Sequence, residues 1–137
     1  MYEFVIKYSA KNGTQGDQRM EVAAKLQIKP GQKVAVVNLP SGVDLDVDVA
    51  SRAAADAVLV FARNQAELKE HMSPAIEAAR ADRVSWIAYP KAGKLDTDLN
   101  RDILSKLMGG NGVRPVRQIA IDEIWSATRF RPGQIDG

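Results

Sequence analysis

The chain has 137 residues, enough for one domain with a substantial core and too few for two domains of ordinary size. Its hydrophobic (45%) and charged (26%) fractions are typical of a globular protein, and 19 basic against 17 acidic side chains leave a net charge of only +2. The absence of cysteine excludes disulfides, thiolate zinc sites and cysteine nucleophiles. Because no signal peptide and no apolar run of about 20 residues is visible, we expect a cytoplasmic protein without a membrane partner.

Three apolar runs are predicted to form buried parallel strands, at 33–38, 57–62 and 84–89. Each is rich in β-branched or aromatic residues and is bounded by turn signals, as expected of strands covered on both faces. The links between the runs are long enough for the crossover connections that parallel neighbours require. A further segment, 19–26, has the apolar periodicity of a helix.

Helix signals follow the second and third strands. Asn64, with Glu67 three residues later, predicts a helix that begins with a capping box. Ser73-Pro74 predicts that this helix breaks and that a second one starts with Ser73 as its N-cap. A last helix is predicted over 97–108, with these residues on its apolar face: Leu99, Ile103 and Leu107.

The end of the chain predicts a different arrangement. Runs at 116–121 and 124–130 are separated only by Asp122-Glu123, so they are expected to form an antiparallel hairpin. Together the elements predict an α/β fold over residues 1–137: a small Rossmann-like mixed sheet, with parallel core strands, helical crossovers and a C-terminal antiparallel hairpin.

Several segments resemble a known family. They lie at 25–34, 57–63, 88–91, 97–102 and 114–131, and the last, RPVRQIAIDEIWSATRFR, is the most specific. They are similar to small bacterial Rossmann-like, methyltransferase-like proteins that are classed as a domain of unknown function. The resemblance covers about 25–132 and leaves 1–24 as an N-terminal extension. It implies the fold, and it supplies no reaction and no catalytic residues.

The turn after the first strand differs from a cofactor-binding turn. In nucleotide-binding α/β folds this strand leads into a glycine-rich turn and a helix that holds phosphates, whereas the turn at 39–42 contains a single glycine. We therefore expect no cofactor. An anion site at the strand ends is a separate hypothesis, with these residues as its candidates: Asn38, Ser41, Arg63, Tyr89 and Lys91. The alternative is that Arg63 and Lys91 pair with Asp96 or Asp98.

Two patterns invite a metal or a catalytic interpretation. Asp44, Asp46 and Asp48 alternate with apolar residues, and a half-buried strand with a wet acidic face explains them without a metal. The single histidine, His71, follows Glu67 by four residues, as in an exposed helical pair. No nucleophile elbow, phosphate-loop motif or zinc helix is present, so no residue is assigned a catalytic role.

The hairpin predicts an interaction face at Arg117, Trp125, Arg129 and Arg131. Arginines beside an aromatic residue suit nucleic acid, but the near-neutral net charge and the expected alternation of these side chains between two faces argue against that partner. The preferred interpretation is a non-catalytic binding or protein-interaction module, as a homodimer or with another protein. The alternatives are a small divergent methyltransferase-like or other anion- or nucleotide-binding enzyme, and a nucleic-acid-binding domain.

Overall fold

The computed structural model describes residues 24–29, 31–43, 48–49 and 55–133. Its strands and helices, in chain order, are β1 (Lys33–Val37), β2 (Asp48–Val49), β3 (Ala57–Phe61), α1 (Gln65–His71), α2 (Ser73–Arg80), β4 (Val84–Pro90), α3 (Arg101–Gly109), β5 (Val113–Ala120) and β6 (Trp125–Pro132). The predicted helix at 19–26 lies mostly outside the described residues.

The strands form one open mixed sheet in the order β2-β1-β3-β4-β6-β5, in which β2 is a two-residue strand at the edge. The pairs β1–β2, β1–β3 and β3–β4 are parallel, whereas β6 is antiparallel to both of its neighbours, β4 and β5. The α/β class and the parallel core predicted from the sequence are therefore confirmed.

Two connections of the sheet pass through helices. The chain crosses from β3 to β4 through α1 and α2, and from β4 to β5 through α3. Because β4 and β5 both pair antiparallel with β6, they run in the same direction, and α3 is a crossover of the kind that parallel strands need. No helix within the described residues is long and apolar enough to cross a membrane.

The two faces of the sheet bury separate cores. The helix-side core joins alternate strand residues to the helices, and includes Val60, Ile87, Leu68, Leu104 and Phe130. The opposite core joins the other strand residues to the segment 24–29, and includes Leu26, Leu59, Phe61, Trp86 and Trp125. Because consecutive side chains of a strand point to opposite faces, central strands covered on both sides are apolar throughout, as β3 is.

The last helix differs from its prediction at its start. α3 begins at Arg101, where the Asn100 side chain accepts a hydrogen bond from the Ile103 amide at 2.8 Å. Leu99 is buried, but it precedes the helix. The fully buried residues of α3 are Leu104 and Met108, while Ile103 and Leu107 are only partly buried. Ile103 and Leu107 still pack against the helix-side core, so the predicted apolar face is confirmed in part, but its most buried positions lie one residue further along the chain.

The boundary between α1 and α2 also differs slightly. The break occurs at Met72, whose amide donates to the Leu68 carbonyl and ends α1. Met72 is also the N-cap of α2. Ser73 is the first residue of α2 rather than its cap, and Pro74 lies in the first turn, where a missing amide costs no helical hydrogen bond.

Candidate functional site

The carboxyl end of β1 is the topological switch point of the sheet. β2 lies on one side of β1 and β3 on the other, so the crevice beyond β1 is where open α/β sheets usually bind ligands. Asn38 is the first residue after β1 and has a left-handed backbone (φ 60°), which asparagine tolerates better than most side chains. The Asn38 side chain is half-buried.

The Asn38 side chain bridges β1 to the neighbouring strand. Its Nδ2 donates to the Phe61 carbonyl oxygen, at the end of β3, at 3.0 Å. The same Nδ2 donates to Glu67 Oε1 on α1 at 2.8 Å. The amide therefore ties two strand ends and a helix together across the crevice, and both of its donor hydrogens are used.

Glu67 is the centre of this network. Its Oε1 accepts from the Arg63 backbone amide at 3.1 Å, and its Oε2 accepts from Arg63 Nε at 2.7 Å. Partial burial of the Glu67 carboxyl raises its pKa, but the hydrogen bonds from Arg63 and Asn38 outweigh that effect and the net pKa is lowered. We conclude that Arg63, a predicted anion ligand, already holds a carboxylate of the same chain.

The first turn of α1 is likewise occupied by oxygens of the chain. Asn64 Oδ1 accepts from the Glu67 amide at 2.9 Å, as the capping-box pattern predicts. The reciprocal half is displaced, because the Glu67 carboxylate reaches the Arg63 amide instead of the Asn64 amide. Asp98, from the loop before α3, accepts from the Gln65 amide at 2.7 Å, and its carbonyl accepts from Gln65 Nε2 at 3.0 Å.

The other predicted anion ligands do not join this network. Ser41 is exposed in the turn after β1, and the Lys91 amide donates to the Ile124 carbonyl at 2.7 Å. Tyr89 is only 3% exposed in the helix-side core, and its hydroxyl has no hydrogen-bond partner within the described residues. Among the five candidates, only Asn38 and Arg63 are brought together. The alternative pairing was also wrong for Arg63, because Glu67 is its acidic partner and Asp98 caps α1.

The residues proposed for metal or catalytic chemistry form no site in the described part of the chain. Asp44 and Asp46 lie outside the described residues. Within residues 24–29, 31–43, 48–49 and 55–133, no group of three or more His, Asp or Glu side chains could hold a metal ion. His71 Nε2 lies 3.6 Å from Glu70 Oε2, so its predicted pairing with Glu67 was wrong.

A second feature lies on β5 and β6. A β-bulge between Pro115 and Arg117 leaves Val116 without a partner in register. Arg114 and Arg117 are three residues apart, which strict alternation would send to opposite faces, but the bulge compensates for the odd spacing. Arg114 therefore pairs with Arg131, and Arg117 with Arg129, and all four point to one face, which we call the arginine face.

Trp125 does not contribute exposed surface to this face. It is only 3% exposed and packs edge-to-face on Phe61, with ring centroids 5.2 Å apart and an interplanar angle of 79°. Trp125 and Ala127 belong to the opposite core and Phe130 to the helix-side core, so the side chains of β6 alternate between the two faces of the sheet. The predicted opposite orientation of the arginines was wrong, because alternation alone takes no account of the bulge.

Sequence reasoning missed two functional contacts. Asp98 caps a helix that starts 33 residues earlier, and Gln27 Oε1 accepts from Arg129 across 102 positions of the chain. Neither contact has a local pattern that would reveal it. Comparisons with protein-family models, with curated proteins and with solved structures found no match.

Proposed function

We propose that the protein is a non-catalytic, Rossmann-like binding module whose cofactor crevice is filled by its own side chains. The single observation that supports this most strongly is the network of Asn38, Glu67 and Arg63 at the switch point. An incoming phosphate would have to displace a carboxylate held by three hydrogen bonds from Arg63 and Asn38. The placement of antiparallel β6 between β4 and β5 fits the sheet plan of methyltransferase-like folds and supports the Rossmann-like classification.

The test is a thermal-melt panel with S-adenosylmethionine, S-adenosylhomocysteine, NAD and ATP. A ligand at about 100 times its dissociation constant adds about 2.7 kcal/mol to the free energy of unfolding, which moves the midpoint by several degrees in a domain of this size. We expect no shift with any of the four compounds, because the Asn38 amide and the Arg63 Nε at the described strand ends already donate to oxygens of the chain.

A shift of several degrees with an adenosyl compound would overturn this proposal in favour of a small methyltransferase-like enzyme. The Asn38→Ala variant then locates the site. If the shift disappears in Asn38→Ala and persists in a variant of the exposed α3 residue, Lys106→Gln, the ligand occupies the switch-point crevice.

A further inference from the structure

The arginine face concentrates like charges on one surface of a chain whose net charge is only +2. Its members are cross-strand neighbours in two adjacent pairs, on a strand pair that includes the sheet edge β5. Arg114, Arg117 and Arg131 are exposed and Arg129 is partly buried. Like charges directly opposite each other destabilise a sheet, so this arrangement is costly to the folded protein unless something anionic covers it.

Acidic residues compensate this face only in part. Arg131 forms an ion pair with Asp82, with Nε and Oδ1 3.0 Å apart. Within the described residues, no other arginine of the face forms an ion pair. The Arg129 guanidinium donates to the neutral Gln27 side chain, and its Nε is buried without a hydrogen-bond partner in the described part of the chain. Burial, and then the charge of Arg131, lower the pKa of Arg129, and the charge of Asp82 opposes that shift without cancelling it.

The acidic turn between β5 and β6 does not neutralise the face. Asp122 Oδ1 accepts from the backbone amides of Ile124 and Trp125, at 2.8 and 2.7 Å, so this carboxylate serves the turn. The turn follows Ala120, which pairs with Ser126, at the opposite end of the strand pair from Arg114 and Arg131. The expected alternation, which argued against an anionic partner, is therefore removed by the bulge, and the Asp122 carboxylate does not contact the face.

The composition of the face favours one class of anion. The residues that dominate protein–protein interfaces are tryptophan, tyrosine and arginine in well-packed pockets, whereas nucleic-acid interfaces are more polar and much more positively charged. The aromatic residues of the described chain, Phe61, Trp86, Tyr89, Trp125 and Phe130, are all buried. The arginine face therefore offers guanidinium groups, which can bind phosphate through two parallel hydrogen bonds. Within the described residues it offers no aromatic ring that could serve as an apolar anchor or stack on a base.

We propose that the arginine face binds the phosphate backbone of nucleic acid, with little preference for base sequence. This assignment names the partner class of the binding module proposed above and rests on that module being non-catalytic. The contacts are to phosphate rather than to bases, because phosphate contacts position a protein on nucleic acid and base contacts specify its sequence. Arg114, Arg117 and Arg129 supply the principal contacts, and Arg131 is held by Asp82.

The experiment is fluorescence anisotropy with a labelled duplex DNA of about 20 base pairs, titrated at several salt concentrations. With about three phosphate contacts, log K should fall against log salt with a slope of about −2.7, which is about a 40-fold loss of affinity between about 50 and about 200 mM salt. A second duplex of unrelated sequence and equal length should bind with the same affinity.

Variants test whether this face is responsible. Arg114→Gln combined with Arg117→Gln leaves about one contact, so the slope should fall to about −0.9. The matched control, Arg101→Gln with Lys106→Gln, removes two exposed charges from α3, which packs on the opposite face of the sheet. We expect the control to change the salt slope and the affinity less than the double arginine variant does. Asp82→Asn frees Arg131 and should steepen the slope to about −3.6.

Three results would overturn the assignment: no binding at about 25 mM salt, equal losses in the arginine variant and the α3 control, or a poly-glutamate competitor as effective as DNA of equal charge. The last result would identify an acidic protein segment as the partner class. All three results are independent of the thermal-melt panel. Binding of an adenosyl ligand at the switch point would be unchanged in the arginine variants and lost in Asn38→Ala.

Discussion

At the scale of single residues, Glu67 occupies the hydrogen-bond donors at the ends of β1 and β3 that a ligand would use. Sequence patterning identifies it only as the third residue of a capping box, whereas the structure makes it the acceptor for Arg63 and Asn38. A residue expected to accompany a helix start instead forms an ion pair with Arg63 at the switch point. The difference arises because Asn38 lies 29 positions away in the chain, and only the pairing of β1 with β3 brings it close.

The lowered pKa of Glu67 gives a prediction for acid stability. A carboxyl with a lowered folded-state pKa stabilises the fold above its unfolded pKa of about 4.3, and that contribution is lost as the pH falls through the folded value. We expect Glu67→Gln to be less stable than the wild type at neutral pH, and the difference to shrink as the pH falls below about 4. Thermal midpoints measured from pH 7 to pH 3 test this, and a constant difference would contradict it.

At the scale of elements, α3 shows how a helix start changes a predicted face. A period of four starting at Leu99 selects Ile103 and Leu107, but Asn100 is the N-cap, so Leu99 is not part of the helix. Ile103 and Leu107 pack against the helix-side core but stay partly exposed, whereas the fully buried residues are Leu104 and Met108, one position further along the chain. An N-cap asparagine is visible in the sequence, but so is Thr97, and the polar residues of 96–98 do not show locally which one is used.

This difference in burial predicts unequal effects of two leucine truncations. Leu104→Ala removes a fully buried side chain and should lower the free energy of unfolding by about 2–5 kcal/mol, because a cavity remains in the helix-side core. Leu107→Ala is the matched control, with the same residue change at a partly buried position of the same helix, and should cost about 1 kcal/mol or less. Urea unfolding measures both, and equal costs would mean that the partly buried Leu107 contributes as much to the core as Leu104.

At the scale of the whole molecule, the segment 24–29 closes the second face of the sheet. The Trp86 indole donates to the Leu26 carbonyl at 2.8 Å, and the Gln27 side chain accepts from Arg129. Leu26 and Ile28 pack in the opposite core with Trp86 and Trp125. The same segment therefore completes a core and supports one arginine of the arginine face.

A pair of conservative substitutions tests that closure. Trp86→Phe and Trp125→Phe each remove part of a buried indole, but only the first leaves the buried Leu26 carbonyl without its side-chain donor. We expect Trp86→Phe to cost about 1–3 kcal/mol more than Trp125→Phe in urea unfolding, the usual penalty for an unsatisfied buried group. Amide hydrogen exchange should rise at 24–29 in the first variant alone. Equal costs with unchanged exchange would show that the indole donor does not hold this segment.

The sequence by itself determined the α/β class, the three parallel core strands and the absence of a glycine-rich turn, because periodicity, β-branched runs and single residue types are local properties. It also determined which residues of β6 share a face. Only the tertiary structure decided that Glu67 and Asp98 occupy the strand ends, that Trp125 is buried, and that the odd-spaced Arg114 and Arg117 lie together. These outcomes depend on strand register, on a bulge and on contacts between distant positions, and each of those forms only when the sheet assembles.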